Sequence, residues 1–347
     1  MEGMRGFAAL IVFFVHFNAL FAGYARPDGP LREITAFAGA FGHAGVDVFF
    51  VLSGLLIYGI LMRGKTRARS FLWRRVERLY PAFLVVFSLY LIAQIALPTY
   101  VNRLPTSQTL IWFLAANLLM LPGVVPMQPM ITVAWSLSYE LFFYVFICLL
   151  VTTLRMRDWQ PRWRISLFAG IVLVRFLAAG TPLATHPRMT MFMAGILLWE
   201  VTNSLRWVPP RSDLVELAVA LLFVGVLFTI GKSGSGHMTE MALTTFPGFR
   251  LPVLFVSCFA VTFYALFGPG ILNHFFSWAY LRWFGNMSYS FYLVHGFALH
   301  IFKLLLRVAL IPNTIPDVLF AGLFVVAIGF AVAGGATLFL TVKNPCH

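Results

Sequence analysis

The sequence predicts an all-α protein, a bundle of about ten membrane-spanning helices. Three observations predict this class. Of the 347 residues, 60% are hydrophobic and only 11% are charged, whereas soluble domains carry about 25% charged residues. Apolar runs recur along the whole chain at lengths close to the roughly 20 residues that a helix needs to cross the hydrocarbon. These runs lack the alternating polar pattern that is typical of an outer-membrane barrel.

Ten apolar runs have the composition of spanning helices. They occupy residues 7–25, 44–62, 81–98, 133–154, 165–180, 189–203, 214–231, 251–271, 287–308 and 315–342. A further run, 109–121, has only 13 residues and is followed by prolines at 122, 126 and 129. It is too short to span and is expected to be a re-entrant or interfacial segment.

The basic residues predict the orientation, because cytoplasmic loops of membrane proteins carry an excess of lysine and arginine. With the N-terminus in the cytoplasm, 16 of the 25 basic residues flank the inner ends of the spans. The four arginines between 155 and 164 would lie outside if 109–121 crossed fully. We therefore expect a multi-pass protein of a bacterial inner membrane with both termini in the cytoplasm.

The same loops explain the net charge of +13. A basic surface also suits nucleic acid, but charges in short loops between apolar runs predict contact with membrane lipid and none with nucleic acid. The cysteines show no paired spacing, so no metal site is predicted. We expect one transmembrane domain over residues 1–347 without a fused soluble domain. The longest inner loop, 63–80, contains a basic and aromatic stretch that suits an interfacial helix.

Titratable side chains inside the hydrocarbon are costly, so each is a candidate functional residue. His16 follows Arg5 by 11 positions, about three helical turns, so both side chains leave the same face and His16 lies ~16 Å deeper. Burial disfavours the charged form of the imidazole, and a neutral imidazole can act as a general base. The alternative is a histidine that is hydrogen-bonded to a neighbouring helix.

Two further spans carry an acid together with a serine. Asp47 precedes Ser53 in the second span, where it can orient a histidine as in a catalytic triad or cap the helix N-terminus. Glu140 lies four residues after Ser136, on the same face of the fourth span. It needs a partner in hydrocarbon, and an ion pair with Arg175 is the structural alternative.

A polar stripe and a basic segment complete the candidates. Ser288, Tyr292 and His295 share one side of the ninth span, where they can serve a site or join helices by hydrogen bonds. Three arginines, at 74, 75 and 78, precede the third span. Guanidinium groups match phosphate oxygens geometrically, but such a cluster also suits anionic lipid.

Together, five segments resemble the acyltransferase-3 family of membrane acyltransferases. They are EGMRGFAAL from Glu2, GVDVFFVLSG from Gly45, RRVERLYP from Arg74, WSLSYE from Trp135 and SYSFYLVH from Ser288. All five stand in the family's order. Departures are Glu2 and Met4 where Asp and Leu are usual, and Leu141 where a second acid is usual.

The resemblance implies a ten-helix enzyme that moves acyl groups, commonly acetyl from acetyl-CoA, to hydroxyls of surface or exported carbohydrates. It implies that His16 is the catalytic histidine with Arg5 as its motif partner, and that Glu140 is the acid after the Trp135 motif. The arginines at 74, 75 and 78 would serve the acyl donor. Acyl-CoA is then a substrate, and no permanently bound cofactor is expected.

Two chemical questions stay open at the level of sequence. His16 can deprotonate the sugar hydroxyl directly or can first carry the acyl group itself. The rival class is a proton-coupled transporter or flippase of a glycan precursor, because intramembrane His, Asp and Glu also build proton relays. Against this rival, the sequence shows no paired halves with matching broken helices.

Overall fold

The computed structural model describes residues 1–64, 67–97, 109–178, 181, 186–232, 249–309, 312 and 314–342, with side chains undescribed at 230–232. Lys65, Arg103 and Lys343, which count toward the predicted orientation, lie outside the described residues.

The described residues form a nearly continuous series of α-helices, joined by short turns. The helices are α1 (Glu2–Phe21), α2 (Pro30–Gly42), α3 (Ala44–Met62), α4 (Ala68–Ala96), α5 (Leu110–Leu118), α6 (Ala134–Thr153), α7 (Pro161–Leu177), α8 (Thr190–Trp199), α9 (Asp213–Lys232), α10 (Arg250–Phe267), α11 (Ile271–Phe276), α12 (Ala279–Asn286), α13 (Ser288–Val308) and α14 (Asp317–Thr341). A π-helical turn, Glu200–Ser204, follows α8.

Within the described ranges, seven helical stretches are long and apolar enough to cross a membrane. They contain α1, α2 with α3, α4, α6, α10, α13 and α14. The other three predicted spans coincide with α7, α8 and α9, which are helical, and of these α7 and α8 have only 17 and 10 residues. The multi-pass helical class is thus confirmed, and the count of ten stays a prediction.

The arginines at 74, 75 and 78 lie on a helix, in the part of 63–80 where a helix was expected. The expected interfacial helix and the span after it form one continuous helix, α4. Pro81 lies inside this helix, although proline lacks an N–H and its ring crowds the carbonyl four residues earlier. Membrane helices tolerate such a proline, since neighbouring groups satisfy the freed carbonyl.

The short apolar run after α4 turns back on itself, as expected. Its helix α5 has nine residues, which gives a length of ~14 Å, about half of the hydrocarbon thickness. The Asn117 side chain accepts a hydrogen bond from the Met130 amide at 2.6 Å. Gly123, at φ +106°, allows the intervening turn, because this backbone conformation is costly for other residues.

The chain divides into two compact units. Unit 1 comprises Met1–Val12, Phe37–Ala68 and Phe143–Asn286, and unit 2 comprises Phe13–Ala36, Arg69–Phe142 and Met287–His347.

Glycines allow very close helix packing in unit 1. A Cβ atom at Gly54 would overlap the carbonyl oxygen of Phe192, and one at Gly195 would overlap that of Val51. Helices α3 and α8 therefore touch backbone to backbone, as small residues permit in membrane proteins. Gly6 in the first motif likewise approaches α12, which gives this glycine a packing role.

Two contacts made by arginines in unit 1 show which helix ends lie together. Arg157, which follows α6, donates to the carbonyl of Leu61 near the end of α3 at 2.9 Å. The ends of α3 and α6 therefore lie on one side, which supports the prediction that 109–121 does not cross. Glu2 pairs with Arg282 at 3.2 Å, so the start of α1 and the start of α12 also lie together.

In unit 2, α1, α4 and α13 run in the same direction. The Tyr289 hydroxyl donates to the carbonyl of Leu79 at 2.7 Å, and further along both helices the rings of Tyr90 and Phe297 lie 5.1 Å apart. Ring contacts pair α1 with α13 in the same order, Phe13 with Phe291 and then Phe21 with Phe302. Residues of these three helices that contact one another therefore lie at the same level, that is, at the same position along the shared direction of the helices.

Candidate active site

Two histidines from the first and ninth predicted spans meet inside unit 2. The ring centroids of His16 on α1 and His295 on α13 lie 5.0 Å apart, with their planes at 63°. His295 is fully buried, whereas His16 is half-buried. His16 is therefore the member of the pair that a substrate can reach.

A backbone hydrogen bond sets the tautomer of His295. Its Nδ1 lies 3.1 Å from the carbonyl oxygen of Phe291, one turn earlier. A carbonyl only accepts, so Nδ1 carries the proton and Nε2 of the neutral ring keeps its lone pair. Nε2 is buried and has no hydrogen-bond partner among the described residues. A proton acceptor thus lies in the apolar interior beside His16.

Tyr292 links this pair to α6. Its hydroxyl lies 2.7 Å from the Ser136 hydroxyl and donates to the carbonyl of Val133 at 3.3 Å. Its ring centroid is 5.9 Å from that of His295. The predicted stripe on α13 and the serine of the Trp135 motif therefore come together, with the Trp135 ring packed on Tyr139 nearby at 5.5 Å.

Glu140 lies one turn beyond Ser136, near the first turn of α13. Its carboxylate and the guanidinium of Arg78 both interact electrostatically with the phenol of Tyr289. Because Ser136 is level with Tyr292 and Glu140 is level with Tyr289, α6 runs opposite to α13. The structure thus brings Glu140 and Arg78 to the same level of unit 2.

The three arginines of α4 present their charges at that end of unit 2. Arg74 is exposed, and Arg75 and Arg78 are half-buried. The Arg75 guanidinium lies over the Phe71 ring, 5.3 Å from its centroid, which holds one face of the cation against an aromatic surface. An anionic ligand can therefore reach this cluster from outside the helices.

These groups follow one another along the helix axes of unit 2. From the level of Tyr289 and Arg78, His295 lies six residues further along α13, a rise of ~9 Å. The cationic end of unit 2 and its buried histidine pair therefore lie at two different levels of the same helices.

The family model described as an acyltransferase domain, that of the acyltransferase-3 family, matches residues 1–334. The chain belongs to the acyltransferase-3 family. It is therefore a multi-pass membrane acyltransferase, as the five segments predicted.

Named relatives agree with this membership. An exopolysaccharide production protein, ExoZ, of Rhizobium meliloti (strain 1021) is 28% identical over 274 residues, 75% of this acyltransferase and 77% of the relative. A protein of Staphylococcus aureus (strain COL) that is named as a candidate O-acetyltransferase is 26% identical over 191 residues, 50% of this chain and 28% of the relative. The chain thus matches about a quarter of that second protein. No solved structure matches this acyltransferase significantly.

Three other predicted residues of the acyltransferase occupy the following positions. Arg5 is half-buried on α1 in unit 1, 11 residues before His16. Ser53 is half-buried in the middle of α3, also in unit 1. Ser288 begins α13 in unit 2, fully buried, with no hydrogen-bond partner for its hydroxyl among the described residues.

Asp47 forms a buried ion pair in unit 1. Its carboxylate accepts a hydrogen bond from Arg188 at 2.7 Å, and both side chains are 2% exposed. Arg188 also donates to the carbonyl of His43 at 3.3 Å. This pairing favours a structural role for Asp47, joining α3 to the turn before α8, over the predicted catalytic one.

A second buried network in unit 1 centres on Glu200, which the sequence-based selection missed. Glu200 is fully buried and accepts hydrogen bonds from Tyr58 at 2.5 Å, Arg164 at 2.6 Å and Ser204 at 2.5 Å. An acid inside the apolar run 189–203 was the signal that could have found it. All its oxygens are engaged by protein groups, so this site is a structural one.

Replacing Asp47 by Asn is expected to lower the thermal unfolding temperature of the acyltransferase markedly. The change leaves the Arg188 charge buried without its counter-ion, and breaking a buried pair in this way costs about 3–5 kcal/mol. Thermal unfolding of the detergent-solubilised protein measures the effect. Glu2→Gln is the matched control, because its pair with Arg282 is exposed and such pairs contribute at most about 1 kcal/mol. Loss of activity with unchanged unfolding would instead assign Asp47 to catalysis.

Proposed function

We propose that this acyltransferase moves an acyl group, in the first instance acetyl, from acyl-CoA to a hydroxyl of a cell-surface or exported carbohydrate. It would work in a bacterial inner membrane, with both termini and the arginines of α4 on the cytoplasmic side. The names of two relatives support this substrate class, one an exopolysaccharide production protein and the other a candidate O-acetyltransferase.

The histidine pair of unit 2 is the observation that carries the proposal. His16 and His295 lie in contact, one half-buried and one fully buried. They stand ~9 Å along the helix axis from the level of Arg78. Acyl-CoA has a matching distribution of charge, because its phosphates are charged while the arm that carries the acyl group is neutral.

His16 is the proposed catalytic residue. Its neutral imidazole takes the proton from the accepting hydroxyl while the hydroxyl oxygen attacks the thioester carbonyl carbon. The carbon–sulfur bond then breaks, the ester remains on the sugar, and His16 returns the proton to the thiolate of coenzyme A. No net proton is gained or lost, so the reaction needs no further acid.

His295 and Tyr292 are proposed as positioning residues. The unprotonated Nε2 of His295 lies beside the His16 ring, where it favours the imidazolium that forms during proton transfer. Tyr292 holds the His295 turn of α13 against α6 through Ser136. Glu140, near Arg78 and Tyr289, would orient the donor arginines.

Replacing His16 with Ala is expected to lower acyl transfer by about 10²- to 10⁴-fold, the usual cost of a lost general base. The assay uses purified protein, radiolabelled acetyl-CoA and a carbohydrate acceptor. Thermal unfolding should stay near that of the wild type, because His16 is only half-buried.

The control is His274→Ala, which removes an exposed histidine of unit 1. This variant should keep its transfer activity. If His16→Ala keeps more than about a tenth of the wild-type rate, well above the range for a lost base, His16 is not the catalytic residue.

Replacing Arg74, Arg75 or Arg78 by Lys separates donor recognition from a lipid anchor. A guanidinium binds phosphate through two parallel hydrogen bonds, whereas a lipid or topology role needs only positive charge. If the cluster holds the donor, Lys at one or more of these positions should raise the KM for acyl-CoA several-fold and leave the acceptor KM little changed.

Arg69→Lys is the matched control, since Arg69 is an exposed arginine on the same helix. It should leave both KM values unchanged. If Lys at all three positions leaves the KM for acyl-CoA unchanged, the cluster serves only as positive charge next to the lipid. Donor recognition then lies elsewhere.

A further inference from the structure

Unit 2 contains a cavity at the end of its helices remote from the arginines of α4. The cavity holds about 160 Å³, and its polar lining comes from Tyr90, His300, Lys303 and Arg307. Leu97, at the end of α4, also lines it. Leu97 lies 18 residues beyond Leu79, which is level with Tyr289. The helix rise then separates the two ends by ~27 Å, close to the thickness of the hydrocarbon.

The cavity begins one helical turn beyond the proposed catalytic histidine. Leu20, which lines it, follows His16 by four residues on the same face of α1. On α13, Lys303 follows His295 by eight residues, a rise of ~12 Å. A molecule seated in the cavity can therefore extend to the histidine pair from the side opposite the donor.

The charged side chains that line the cavity favour binding of an anion. Lys303 and Arg307 lie four residues apart on α13, where like charges repel each other. Within the described parts of the chain, no carboxylate pairs with either cation, and the lining residues include no acid. Lys303 is half-buried, and burying part of its charged ammonium group costs free energy. A bound anion would offset this cost.

The rest of the wall suits a sugar. Tyr90 and Phe297 pack their rings 5.1 Å apart along one side, and Leu20, Leu97 and Ile301 supply apolar contacts. Pyranose rings have apolar C–H faces that pack on such surfaces. Binding sites are typically apolar with a few polar groups that fix orientation, and here two of those groups, Lys303 and Arg307, are cationic.

We propose that this cavity binds the negative charge of an acidic carbohydrate acceptor, a carboxylate or phosphate on a sugar next to the one that receives the acyl group. The inference rests on the proposed function and names its acceptor class. The ~12 Å rise from His295 to Lys303 leaves room for a sugar ring between the bound anion and the reacting hydroxyl. Lys303 and Arg307 are then specificity-determining residues for the acceptor.

Equilibrium binding to the full-length protein in nanodiscs of neutral phosphatidylcholine tests the proposal. The probes are a hexuronic acid oligosaccharide, its carboxyl-reduced neutral counterpart and a sugar phosphate. The wild type should bind at least one acidic probe tenfold or more tightly than the neutral one. Lys303→Gln with Arg307→Gln should abolish that preference and leave acetyl-CoA affinity unchanged.

Arg26→Gln is the control, because it removes an exposed cation of unit 2 that does not line the cavity. It should retain the preference. The single variant Arg307→Gln should weaken binding of the acidic probe several-fold. Because Arg307 is exposed, this variant distinguishes a lost contact from misfolding of the double variant.

Three results would overturn the proposal. They are equal binding of acidic and neutral probes, a preference that survives the double variant, and displacement of the acidic probe by phosphatidylglycerol, which marks a lipid site. Binding requires no transfer, so the two hypotheses can fail separately. Continued His16-dependent acylation of neutral carbohydrate would refute only the acidic acceptor, whereas acidic binding without acylation of any carbohydrate would refute the proposed function.

Discussion

Hydrocarbon offers no hydrogen bonds, so every polar side chain within it must be satisfied by the protein or serve a ligand. Two sets of buried side chains meet this constraint differently. In unit 1, Arg188 neutralises Asp47 and Arg164 neutralises Glu200, and both pairs are almost completely buried. In unit 2, His295 keeps a buried nitrogen without a hydrogen-bond partner among the described residues, next to a half-buried histidine. The ion pairs stabilise helix packing, whereas the buried nitrogen of His295 can still accept a proton.

Long apolar helices could be predicted from the sequence because length and composition determine them. The predicted span 44–62 coincides with α3, and 287–308 differs from α13 by one residue. Helix α2 and the short helices α11 and α12 were missed, since none is an apolar run long enough to span. Helix α4 begins 13 residues before the predicted span 81–98, because the helix continues through charged residues that are not part of the apolar run.

The candidate site was predictable where spacing along one helix decided the outcome. The stripe of Tyr292 and His295 needed only the helical period, and His16 needed only its depth in an apolar run. The partner of Asp47 could not be predicted, because Arg188 lies 141 positions away in sequence and only tertiary packing joins them. The basic cavity was equally hidden, because only tertiary packing brings Lys303 and Arg307 beside residues of α1 and α4.

The central claim is that donor and acceptor reach the histidines of unit 2 from opposite sides of the membrane. Sealed vesicles from cells that produce this acyltransferase test it directly, because acetyl-CoA does not cross the bilayer. Radiolabelled acetyl-CoA is added to inverted and to right-side-out vesicles, and label in the vesicle carbohydrate is measured. Lumenal carbohydrate is expected to be labelled in inverted vesicles only, and the label should be lost in vesicles with His16→Ala. Labelling in right-side-out vesicles, or labelling that His16→Ala leaves unchanged, would contradict it.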